Sequence, residues 1–326
     1  AHFYLGTWPG LVAAAGLLAV GIGLHLLNVG LSLRGFNQWT FTARMVMLGY
    51  GGLALTTLFG LALASHRVRP FLPGELFPTL HAHVHLALLG WITPMIFGVA
   101  ARVYPMFLLA PVPGRWSSHL QLWGLGLGLP SIVLGLVGVP GLLVPGALAV
   151  ATAAMSHGWW VLAVARARKR PGLDWGLRFA LTATGFLPPA VILGVSLAAD
   201  LLSGPRVVLA YAVVVLGGWV SLTIVGMMLK IVPFLVWHRA FAPRAGRERV
   251  PTLAHLSWPR VEGTAYALLT AGVGLLAVAL FVGDVAAIRA AAAVLALGAL
   301  AFVLVLVRII GHLSSRSQKT PAALVV

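Results

Sequence analysis

Residues 88–107 read LLGWITPMIFGVAARVYPMF, and residues 216–235 read LGGWVSLTIVGMMLKIVPFL. Each is an apolar stretch with one basic residue, Arg102 in the first and Lys230 in the second. About 20 such residues, coiled as a helix, cross the hydrocarbon core of a bilayer. The two stretches also align on one another. Gly90-Trp91 falls on Gly218-Trp219, Gly98 on Gly226, Arg102 on Lys230 and Pro105 on Pro233, at a constant offset of 128. Two unrelated membrane helices share aliphatic residues through composition alone. Shared Gly-Trp, Gly, basic and Pro positions in one register point instead to an internal repeat.

Working outward, the hydropathy pattern predicts nine spans, at residues 8–33, 43–65, 78–109, 117–138, 141–166, 175–202, 205–237, 259–283 and 286–311. The matched stretches belong to the third and the seventh. Four spans apart means the same direction through the membrane, so the repeat is parallel and its unit is four helices. The approximate halves are 8–138 and 141–283, with 286–311 as an extra last helix. The expected fold is an all-α polytopic transmembrane bundle forming one domain.

Composition agrees. The 326 residues are 60% hydrophobic and only 9% charged, against about a quarter charged in soluble domains. The net charge of +16 does not point to nucleic acid, because the basic residues fall in loops between spans, as the positive-inside rule requires. Arg166, Arg168, Lys169 and Arg170 follow span five, and Arg239, Arg244, Arg247 and Arg249 follow span seven. Both loops belong in the cytoplasm, as does the loose tail with Arg316 and Lys319. This puts the N-terminus outside, in the cell (inner) membrane. The loop with Arg67 and Arg69 is a mild exception. The first span has no basic stretch ahead of it and reads as a retained helix, not a cleaved signal.

There is no cysteine, which excludes disulfides, thiolate metal sites and covalent c-type haem. A redox cofactor would be held by histidine. Three histidines open the third span: His81, His83 and His85, in LHAHVHLALLGW at residues 80–91. An ionisable side chain within a span is a functional candidate by default. Each helical residue advances about 100°, so His81 and His85 share a face and His83 points away from both. Two ligand-bearing faces predict two sites, or one site with a separate partner. The alternative is a water-lined cavity, or interhelical hydrogen bonds worth about 0.6–2 kcal/mol each.

His25 in span one and His157 in span five lie at similar depth. They read either as a pair across a second haem or as single polar contacts. His66 ends span two and is the nearest further ligand by topology, although its place favours an interfacial role. His2, His119, His238, His255 and His312 read as interfacial. Asp174, Asp200, Asp284, Glu75, Glu248 and Glu262 all lie at or near loops, so no carboxylate relay crosses the bilayer. Arg44, Arg102, Arg178 and Lys230 sit near span ends, where they could contact haem propionates or lipid phosphates, although snorkelling to headgroups is the usual role of long basic chains there.

From His83 to Phe107 the sequence resembles the tenth helix of haem-copper oxidase catalytic subunits, the C-type oxidases especially. In that helix an H-x-H precedes a small apolar stretch, then Gly-Trp or Gly-Phe, then a Pro-aromatic end. Here Gly90-Trp91, Gly98 and Tyr104-Pro105-Met106-Phe107 supply those features. The same pattern is similar to the NnrS family of membrane haem proteins linked to nitric oxide stress. The resemblance implies non-covalent haem b, one or two per chain, with His83 on a high-spin haem and His85 on a low-spin haem. It implies electron transfer, or binding or reduction of nitric oxide or another gas. Its partners would be a c-type cytochrome, quinol or another redox subunit. The chain departs from the oxidases in having no H-x-x-x-Y, no His-His pair and fewer spans. A complete oxygen reductase is therefore not expected, and the sequence leaves open whether the protein is an enzyme. Two other classes stand beside this one. Parallel repeats and the helix-breaking Pro94, Pro188 and Pro189 suit a membrane transporter. A copper or zinc site could use His81 and His85 as an i, i+4 pair, with His66 as a third ligand.

Overall fold

The computed structural model describes residues 7–72 and 76–313. His2, Glu75 and the tail at 314–326, read above as interfacial, loop and loose segments, lie outside those residues. Among the described residues nine helices are long and apolar enough to cross a membrane. They are α1 (Trp8–Ser32), α2 (Phe41–His66), α3 (Leu76–Leu108), α4 (Trp116–Leu136), α5 (Pro140–Arg166), α6 (Trp175–Ala198), α7 (Pro205–Ala240), α8 (Pro259–Val282) and α9 (Val285–Gly311). No strand occurs among them. The protein is an all-α polytopic bundle, as hydrocarbon demands: a lipid-facing backbone must satisfy its own N–H and C=O groups, and a helix does so within one segment.

The helix ends carry their local causes. Thr40 caps α2 by accepting from the Ala43 N–H, and Asp174 caps α6 by accepting from the Leu177 N–H. Asp284 takes two N–H groups at the start of α9, and Gly283 just before it sits at φ +85°, where a side chain would be strained. α6 is interrupted between Thr184 and Leu187. Pro188 and Pro189 follow at once and have no N–H to give the preceding turn. The chain tightens there, with Gly185 N–H donating to the Thr182 carbonyl and Phe186 N–H to that of Ala183.

Two helices widen instead of tightening. α3 is α-helical over Leu76–His85, π-helical over Leu86–Ile92 and α-helical again over Thr93–Leu108. α7 does the same, with its π segment at Val213–Ser221. The two π segments occupy the same place in the repeat, around Gly90-Trp91 and Gly218-Trp219. In α3 the cause is visible: Pro94 supplies no N–H, and Thr93 sends both its backbone N–H and its hydroxyl to the Leu88 carbonyl, five residues back.

The chain divides into two compact units, residues 1–170 with 194–201, and residues 171–193 with 202–326. One break between these units falls at Arg170–Pro171; the approximate repeat halves read from sequence part between 138 and 141. A cut there would separate α4 from α5, which fit too closely to part: a Cβ on Gly128 would collide with the Gly146 carbonyl. The repeated packing runs α2–α5 and α6–α9. In the first unit Gly90 meets Gly52, and Gly98 meets Thr42 and Met45. In the second Gly218 meets Phe186, and Gly226 meets Gly176 and Phe179. On that evidence of packing, α6 matches α2 at a constant offset of 134. α1 stands outside the repeat. It buries no residue and meets α2 through His25 on Tyr50.

Each unit has its own core. Met45, Phe97, Leu108, Leu125 and Val161 are almost fully buried in the first, and Phe179, Leu222, Leu256, Val305 and Ile309 in the second. In lipid such helices are held by close packing of small residues and not by expulsion of water. Glycine at the crossings is what permits that closeness.

Candidate functional site

The triplet lies at the start of α3, in the first unit. Because the helix is regular through His85, the angular argument holds: His81 and His85 share a face, and His83 points elsewhere. His81 is exposed, while His83 and His85 are half-buried.

His83 points at α2. Its ring lies over Gly60, where a Cβ would stand 3.0 Å from His83 Cε1. Its Nδ1 is buried and has no hydrogen-bond partner among the described residues. Such an atom costs free energy until something binds it.

His85 is held differently. Its Nδ1 donates to the His81 carbonyl at 2.8 Å. That bond fixes the tautomer and leaves the Nε2 lone pair available. A ring oriented by a carbonyl through one nitrogen, with the other nitrogen available, is the arrangement that metal-ligating histidines use. The π segment begins at the next residue, Leu86. Each π turn holds one residue more than an α turn, so everything beyond His85 is rotated relative to the triplet, and π turns are frequent at functional sites.

The other sequence candidates are engaged elsewhere. His66 Nδ1 accepts from the Phe71 and Leu72 N–H groups, both at 2.9 Å, so this ring holds the loop that follows α2. His25 is exposed on α1, 5.6 Å from the Tyr50 ring. His157 lies deep in the core at 1% exposure. Its Nδ1 donates to Gln121 Oε1 at 3.2 Å, and its ring stacks on Phe97 with centroids 3.9 Å apart. His25 and His157 thus have different neighbours and are not drawn to a shared site. Nor do His66, His81 and His85 form a cage: among the described residues no three His, Cys, Asp or Glu side chains are grouped to hold a metal ion.

Three features were not singled out from sequence. Gly60 seats His83, Gln121 holds His157, and Thr93 closes the π turn. Gln121 alone left a signal, as an amide inside an apolar span. Scans against protein-family models and searches of curated proteins and solved structures find no match.

Proposed function

We propose that this is a membrane-embedded haem b protein that binds nitric oxide or another diatomic gas, with His85 as the residue that would hold the iron. The observation that carries the reading is His85 itself: Nδ1 pinned to the His81 carbonyl and Nε2 left as the ligand atom. The fit is to a single histidine. His83 faces α2, and His66, His25 and His157 have other partners. Haem held by one protein ligand keeps an open position for a gas, which favours gas binding over electron transfer through a haem ligated on both sides. The buried, unpaired Nδ1 of His83 would then lie on a face of α3 away from the ligand.

The cysteine-free chain requires the haem to be non-covalent. Acidified acetone should therefore extract all pigment from purified protein, and its pyridine haemochrome should be of b type. A colourless protein from cells supplied with ample haem would overturn the proposal. It would leave the transporter reading, which the repeated packing of α2–α5 and α6–α9 also supports.

A further inference from the structure

The two units carry the same charged corner with one difference. In the second unit Asp174 caps α6, accepting from the Leu177 N–H at 3.1 Å, and its other oxygen takes Lys230 Nζ at 2.7 Å. Lys230 reaches it by lying along Gly176, where a Cβ would stand 3.0 Å from the lysine methylenes. Arg178, one turn along α6, stacks on Trp175 at 4.4 Å. In the first unit the repeat registers place Thr40 at Asp174, Phe41 at Trp175, Arg44 at Arg178 and Arg102 at Lys230. Thr40 caps α2 as Asp174 caps α6, accepting from the Ala43 N–H at 3.3 Å.

Both bases are kept and the carboxylate is not. Arg44 and Arg102 are exposed, and neither has a carboxylate partner among the described residues. The repeat register thus sets two basic residues at the start of α2, near the positive end of its dipole, with no carboxylate partner among the described residues. The second unit shows what this corner takes: an oxyanion against the base and the helix start. We propose that in the first unit that anion is the phosphate of an anionic membrane lipid. Guanidinium groups match phosphate oxygens in geometry as well as charge. The corner lies at the ends of spanning helices, beside exposed Phe36, Trp39 and Met106. Aromatic residues in that setting mark headgroup depth, and the apolar surface below would lie along the acyl chains.

The test uses the full chain in neutral detergent, with phosphatidylglycerol in mixed micelles, phosphatidylcholine, or inorganic phosphate. Phosphatidylglycerol should raise the unfolding temperature of the wild type, and native mass spectrometry should retain it. Phosphatidylcholine and inorganic phosphate should do neither. Thr40→Asp supplies the carboxylate that the second unit already has, and should raise the lipid-free unfolding temperature while abolishing the response to phosphatidylglycerol. Arg102→Gln should weaken the lipid response roughly tenfold, the loss expected for one charge-assisted contact; it also decides the matter should Thr40→Asp not fold. An undiminished response in Arg102→Gln, or equal stabilisation by phosphatidylcholine, would overturn the proposal. An equal effect of inorganic phosphate would assign the corner to the free ion and overturn the lipid.

Discussion

His85 and His157 hold Nδ1 on an acceptor in the same way, and burial separates their roles. His157 is 1% exposed and lies parallel to Phe97 at 3.9 Å, so a porphyrin has no room beside it. His85 is only half-buried and keeps Nε2 for a ligand. His157→Ala should therefore leave the visible spectrum unchanged while lowering stability by about 2–4 kcal/mol, because it opens a cavity and strands Gln121. Thermal unfolding and pigment content measured on one sample check both halves of this statement. Pigment loss at unchanged stability would move the haem to α5. The spacing of the triplet was legible in the sequence, since helical geometry alone sets His83 apart from His81 and His85. The seat of His83 on Gly60 was not, because it depends on how α2 meets α3.

At the scale of elements, α2 and α3 approach so closely that a side chain on Gly52 is excluded. A Cβ on Gly52 would collide with the Gly90 carbonyl, whereas one on its neighbour Gly51 would meet open space. Gly52→Ala should destabilise the protein by about 1–3 kcal/mol through overpacking. Gly51→Ala should instead be neutral, or stabilising by up to about 1 kcal/mol from helix propensity. Equal unfolding temperatures for the two variants would refute the packing described for α2 and α3. Apolar runs and Pro or Gly punctuation made the nine helices legible. The π segments were not, because a π turn uses the same residues as an α turn. Pro94, just past its end, announces the first, but the second, at Val213–Ser221, is followed by Leu222 at the matching position and shows itself only through the repeat.

Across the whole molecule, the two units repeat a helix packing and diverge in chemistry. The second places Tyr211 and Val213 where the first has His83 and His85, so the proposed haem, one per chain, would belong to the first unit. Sequence could show that the halves match at α3 and α7, but not where one unit ends, because the fit of α4 on α5 is a matter of contact between helices. In the proposed function, His85 Nε2 would hold the haem iron. Haem stoichiometry in His85→Gly, measured with and without free imidazole, tests it most directly. The wild type should carry one haem b per chain and His85→Gly none, with recovery on adding imidazole, while His83→Gly stays coloured throughout. A His85→Gly protein that keeps its full haem content without imidazole would contradict it.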